Sequence, residues 1–226
     1  MFKFADRNQK QHLVLVAGWA FDCRIFNSLD LPYNYCFFEG DSIASFEDRI
    51  KKTMREKNLE KISIFGFSQG AFAASLFAAA NPDKVCELIL VGLRKKYDKK
   101  TLQNIKNYLA ENPSAFLYRF YKDCFCRQEK KTYLLFKRTL FKDYLARFSP
   151  DRLADALDWL FSVEITPQSL EKIKKIKIVH GTKDAIAPIS EAEDIACSLP
   201  QAKFITFEET GHLPFLRDDF KRRLYD

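Results

Sequence analysis

Residues 61–80 read KISIFGFSQGAFAASLFAAA, an apolar run that ends in Gly66-Phe67-Ser68-Gln69-Gly70 and passes at once into an alanine-rich segment closed by Asn81-Pro82. The run 61–67 predicts a strand, and 69–80 predicts a helix stopped by Pro82. A polar serine between two glycines at such a junction fits the G-x-S-x-G pattern, in which a strained tight turn thrusts the serine hydroxyl out above the sheet. Side chains larger than glycine two residues before or after it would collide with the neighbouring strand and helix. The helix that follows aims its N-terminus at the same spot and favours developing negative charge there. A linker uses glycine too, but is seldom so apolar on both sides. Ser68 therefore reads as a nucleophile.

A serine hydroxyl needs a base to take its proton, and the chain has three histidines. His12 opens a predicted strand and reads as structural, while His180 closes one. His212 lies in EETGHLPFL (208–216), between Gly211 and Pro214, which mark a tight, exposed loop after the last predicted strand. That puts it at the same carboxyl edge as Ser68 and makes it the candidate base. The orienting carboxylate is Asp184 in KIVHGTKDAIAP (177–188), just beyond the strand that ends at His180. The chain order Ser68, Asp184, His212 is that of the α/β-hydrolases, not that of the chymotrypsin or subtilisin arrangements.

The remaining pattern agrees. Residues 12–17, 34–38, 61–67, 86–92, 175–181 and 202–207 predict strands, and 43–57, 69–80, 190–198 and 214–225 predict helices. This alternation implies a mostly parallel sheet with helices on both faces. From 99 to 170 only helical pattern occurs, with apolar stripes through Phe116, Phe120, Tyr121 and Cys124 and through Leu140, Phe141, Tyr144, Leu145 and Phe148. The expected organisation is a core of 1–98 and 171–226 with a helical cap, 99–170, inserted over one end of the sheet. At 226 residues with 47% hydrophobic and 15% aromatic content, the chain has material for a sizeable core, which excludes a disordered protein.

Charge is uneven. Residues 94–152 hold 16 Lys/Arg against 6 Asp/Glu, a net +10 in a chain of net +7. Solvated helix faces would account for this, as would a docking surface for an acidic macromolecule or an anionic substrate. No nucleic-acid recognition module is evident. The polar start MFKFADRNQKQH and the lack of a long apolar run point to neither a signal peptide nor a membrane span. The scattered cysteines 23, 36, 86, 124, 126 and 197 complete no zinc pattern and read as buried free thiols in a reducing cytoplasm.

With GWA, GFSQGAFAA, ALDWLFSVEI, HGTKD and GHLPF in this order, the chain resembles the α/β-hydrolase superfamily over nearly its whole length. Within it, the chain looks like the pimeloyl-acyl-carrier-protein methyl ester carboxylesterases of biotin synthesis, of the BioH type, with a BioG-like AGW segment. The resemblance implies Ser68 as nucleophile, His212 as base and Asp184 as orienting acid. The backbone N–H groups of Gln69 and Trp19 would be the oxyanion donors, with the Trp19 ring lining the acyl site. Many relatives begin the latter loop His-Gly; Ala17 stands here instead, without that polar support. Phe116, Arg119 and Phe120 are pocket or rim candidates. The substrate would be an ester on an acidic acyl carrier protein held by the basic cap, the aromatic stripes would line a channel for its acyl chain, and no metal or organic cofactor is called for. A general carboxylesterase or thioesterase on small free esters would share every catalytic residue, and a non-catalytic binding protein on the same fold would leave Ser68 unlabelled by a fluorophosphonate.

Overall fold

All six residues of the strand that precedes Ser68 are buried, which requires cover on both faces of the sheet. The computed structural model describes residues 1–40 and 42–226, and supplies that cover from two directions. Along the strand, side chains alternate between faces. Gly66 abuts the helix Gln69–Ala80, whereas Phe65 and Phe67 point the other way, onto Phe215, with Phe65 also meeting Phe26 and Phe220.

The strands are β1 (Phe2–Ala5), β2 (His12–Val16), β3 (Asn34–Phe38), β4 (Ile62–Phe67), β5 (Val85–Val91), β6 (Ile176–Gly181) and β7 (Ala202–Phe207). They form one sheet in the order β1-β3-β2-β4-β5-β6-β7. β1 runs antiparallel to β3 and every other pair is parallel. All six predicted strands are present. β1 is additional: four residues at an edge, none fully buried, give too short an alternation to stand out from the polar start. Its anchor is Phe2, whose ring meets Phe38 at 5.3 Å and Phe46 at 6.3 Å.

The helices are α1 (Phe46–Glu56), α2 (Gln69–Ala80), α3 (Lys99–Glu111), α4 (Pro113–Asp123), α5 (Lys130–Phe136), α6 (Lys142–Arg147), α7 (Pro150–Ser162), α8 (Ile189–Cys197) and α9 (Phe220–Tyr225). The segment expected to be helical from 214 to 225 is broken. A short turn at Pro214–Leu216 is followed by extended backbone at Arg217, which bonds Asp219 (Nε to Oδ1, 2.8 Å) before α9 starts.

Between β5 and β6 lie α3 to α7, with a π turn at Lys137–Phe141 joining α5 to α6. Asp98 and Asn112 cap α3 and α4 through the N–H groups of Thr101 and Ala115, and Pro113 and Pro150 occupy first turns. The two aromatic stripes face each other. Tyr121 is fully buried among Phe21, Phe136, Phe141 and Tyr144, and its hydroxyl donates to the Ala20 carbonyl at 2.6 Å. This corrects the expected channel: most of the stripe seals the insertion onto the β2–β3 loop, because aromatic edges pack more favourably on one another than on water. The thiols are all free, but only Cys36 and Cys124 are fully buried, and Cys197 is exposed. Among the described residues no helix is long and apolar enough to cross a membrane.

Candidate active site

Ser68 stands between β4 and α2 with φ +52° and ψ −115°, a left-handed conformation that a side-chain-bearing residue holds only under constraint. The constraint is visible. The Ser68 N–H donates to the Val91 carbonyl on β5 at 2.8 Å, and its own carbonyl accepts from Ala71 at 2.9 Å. A Cβ on Gly70 would lie 2.1 Å from the Val16 carbonyl oxygen, and one on Gly66 would lie 2.5 Å from that of Gly70. The two glycines thus let helix and strand backbones touch.

Asp184, on the loop after β6, has a side chain with no solvent exposure. Its Oδ1 accepts the N–H groups of Ile186 (2.8 Å) and Ala187 (2.9 Å). Its Oδ2 lies 2.6 Å from His212 Nδ1 and 3.3 Å from His180 Nε2. Burial alone would raise this carboxyl, but the two imidazoles and their hydrogen bonds outweigh it and hold Asp184 well below the usual carboxylate range. His180 Nε2 also lies 2.9 Å from the Ala187 carbonyl, so with two acceptors facing it this nitrogen carries the proton. Asp184 is therefore shared between two histidines. The i, i+4 spacing in HGTKD is the signal that could have revealed this.

His212 corrects one expectation: its loop is not exposed. The side chain is completely buried, because the segment after α4 folds back over the loop and its Cys124 carbonyl accepts the His212 N–H at 2.8 Å. The nitrogen opposite Asp184, Nε2, is buried without a hydrogen-bond partner. It makes no hydrogen bond to the serine, and the elements that carry the two meet at the end of β5. Val91, which accepts from Ser68, is followed by Gly92 at φ +63°, and a Cβ on Gly92 would lie 2.7 Å from His212 Cε1. The ring of Phe67, next to Ser68, stands 4.9 Å from the imidazole. Gly92→Ala is accordingly expected to push the imidazole aside and lower kcat by about 100-fold. Circular dichroism would show an unchanged fold; unaltered turnover would mean that the ring has room to spare.

Tyr97 was not anticipated. Its hydroxyl neighbours the Ser68 side chain, and its ring sits between Phe72 and the Arg94 guanidinium. Burial pushes the phenol up to about 12, so it stays neutral at ordinary pH. A lone tyrosine in the charged run LRKKYD carries no motif, which is why sequence passes over it.

Gln69 opens α2, where a backbone N–H has no intrahelical acceptor. Trp19 follows Gly18, whose missing Cβ would lie 3.0 Å from Ser68 Cβ. Both side chains are tied to α7: the Trp19 indole N–H donates to Leu153 and the Gln69 amide to Ala156, each at 2.9 Å. Beside them lies a cavity of about 720 Å³ lined by Trp19, Phe21, Phe38, Gln69, Phe148 and Trp159, together with Arg147 and Arg152. Phe116 and Phe120 do not line it. They pack edge-on against Trp19 at 6.2 and 5.1 Å, and Arg119 is exposed on α4. Helical spacing identified the apolar face, but which side of Trp19 it covers was decided by packing.

The charge of residues 94–152 is also redistributed by folding. Arg94, Lys95, Lys96, Lys106, Lys131 and Arg147 pair with Glu191, Asp194, Glu164, Asp158, Asp218 and Asp22. Arg119, Lys122, Arg127, Lys130, Lys137 and Arg138 are exposed and form no ion pair among the described residues. Leu134 and Leu135, 51% and 60% exposed, lie among them. No group of three His, Cys, Asp or Glu among the described residues is placed to hold a metal.

The family described as alpha/beta hydrolase fold matches residues 27–219. The pimeloyl-(acyl-carrier protein) methyl ester esterase of Aromatoleum aromaticum is 24% identical over 234 residues, covering 90% of this chain and 92% of that protein. Among solved structures, an esterase from Exiguobacterium antarcticum superposes with a TM-score of 0.83 at 21% identity, covering 99% of this chain and 94% of that one. A bromoperoxidase from Bacillus anthracis does so with 0.83 at 19%, covering 99% and 93%. Superposition at these identities shows the shared fold.

Proposed function

Because the chain belongs to the alpha/beta hydrolase fold family, we propose that it is a serine carboxylesterase cleaving the methyl ester of an acyl chain borne on an acyl carrier protein. One observation carries the chemistry: the 2.6 Å contact of His212 Nδ1 with Asp184 leaves Nε2 unpartnered beside the serine elbow. Ser68 Oγ gives its proton to Nε2 as it attacks the ester carbonyl, forming an oxyanion that the N–H groups of Gln69 and Trp19 receive. The imidazolium, oriented by the ionised Asp184, returns the proton to the departing methanol. Water activated by the same imidazole then releases the acid from Ser68. Residues 99–170 act as the cap, with α7 holding Trp19 and Gln69 in place.

The carrier is inferred from the name of the Aromatoleum aromaticum relative and from the exposed, unpaired cations of α4, α5 and the π turn. Such carriers are acidic, and a basic surface around exposed Leu134 and Leu135 offers them charge and apolar contact together. The alternative, a general carboxylesterase or thioesterase, uses the same catalytic residues on small esters. A carrier-borne methyl ester and a free one separate the two. The carrier should raise kcat/KM, rising salt should erase the advantage, and joint charge reversal of Arg119, Arg127 and Arg138 should raise KM for the carrier ester alone. A carrier ester no better than a free one, insensitive to salt, leaves the general esterase.

A further inference from the structure

The segment Cys124–Glu129, between α4 and α5, is fastened to the loop that carries His212. The Cys124 carbonyl accepts the His212 N–H at 2.8 Å, and the Cys126 thiol meets the Glu209 carbonyl at 2.8 Å. Glu129 Oε2 accepts the Gly211 N–H and the Cys126 N–H, both at 2.8 Å. The approach is so close that a Cβ on Gly211 would lie 2.4 Å from the Cys124 carbonyl oxygen and 3.0 Å from Glu129 Oε2.

Glu129 is the unexpected member. It is only 7% exposed, and Oε1 is buried with no hydrogen-bond partner. A carboxylate is costly to bury, and neutral acceptors satisfy N–H groups at lower cost. Arg217, which acts electrostatically on Glu129, is committed to Asp219 and Thr210. What Oε2 achieves here is a tie between two segments, since it accepts one N–H from the insertion and one from the loop that carries His212.

We propose that Glu129 is a positioning residue for His212: its carboxylate pins Gly211, the residue before the base, to the helical insertion. The imidazole then keeps its place between Asp184 and Ser68 only while the insertion is seated. This rests on the serine-esterase reading, in which His212 is the base. The Glu129 side chain touches neither substrate nor Ser68 and acts through the backbone of its neighbour loop.

The test compares the full-length wild type with Glu129→Ala, Glu129→Gln and Glu129→Asp, using p-nitrophenyl butyrate and a fluorophosphonate. Glu129→Ala is expected to lower kcat by about 100-fold, as a misplaced catalytic group does, with KM unchanged. Labelling of Ser68 should slow in parallel, and the downfield proton resonance of the His212–Asp184 bond should shift or disappear. Glu129→Gln, whose carbonyl oxygen can still accept both N–H groups, should restore most of the rate and the resonance. Loss of the fold alone would lower soluble yield without moving that resonance in the folded fraction. Should Glu129→Ala not fold, Glu129→Asp decides: its shortened reach must lower kcat and shift the resonance. Wild-type kcat in a folded Ala or Asp variant overturns the proposal, as does a lowered kcat with an unmoved resonance. Failure of the wild type to label at Ser68 would instead overturn the esterase reading.

Discussion

Ser68→Ala should lower kcat for any ester by about a millionfold, the loss seen when an activated serine is removed from such a constellation. The substitution deletes only Oγ. The Cβ that faces Gly18 remains, and so does the backbone that donates to Val91. Alanine at φ +52° carries strain similar to that of serine, so the elbow itself is expected to survive with little change in Tm. Substrate should still bind, since the cavity beside Trp19 and Gln69 owes nothing to that hydroxyl. The distinctive signature is thus a protein that titrates substrate, resists the fluorophosphonate and turns nothing over. Retention of more than about 1% of the wild-type rate would assign nucleophilic attack elsewhere, since residual catalysis without the nucleophile is far smaller.

Asp184→Asn should cost about 10⁴-fold in kcat, and the surroundings explain why so small a change does so much. The Ile186 and Ala187 N–H groups point at Oδ1 and will hold the amide oxygen there. The amide nitrogen must then face the two histidines. A donor in place of an acceptor forces His212 Nδ1 to become the acceptor, which moves the ring proton to Nε2. An imidazole with its proton on Nε2 cannot take one from Ser68. His180 meets the same conflict, so the variant is also expected to be less stable.

The pH dependence follows from the Asp184 carboxyl, which burial would raise but which the two histidines hold below the ordinary carboxylate value. A carboxyl depressed by folding contributes stability above its unfolded value and loses it as pH falls toward the folded one. The stability margin of wild type over Asp184→Asn should therefore be present above about pH 4 and shrink only in stronger acid. Urea denaturation across that range measures it. A margin that shrinks near neutrality would mean that Asp184 is not the ionised partner.

Much of the site was legible because its signals are local. The G-x-S-x-G turn imposes its own backbone, the strands before Ser68 and Asp184 are largely buried apolar runs, and the strand before His212 buries only Ile205 and Phe207 but keeps a strand's alternation. Those three residues had to reach one edge of the sheet once the strands were parallel. The residues missed act across elements. Tyr97 and Gly92 follow β5 without a motif, His180 shares Asp184 only because a strand end and a loop face each other, and Phe116 and Phe120 lie behind Trp19.

Taken alone, the order and spacing of residues in this chain determined a mostly parallel α/β sheet and set a serine, an acid and a histidine along its carboxyl edge. Periodicity and turn chemistry are short-range properties, so they can be read without coordinates. Only the tertiary structure decided that the His212 loop is buried beneath residues 124–129, that Asp184 serves two histidines, and that Arg119, Lys122, Arg127, Lys130, Lys137 and Arg138 are left exposed without an ion pair among the described residues. Each of these depends on which surfaces meet after folding, and segments about eighty residues apart, such as Glu129 and Gly211, leave no pattern in sequence that announces their contact.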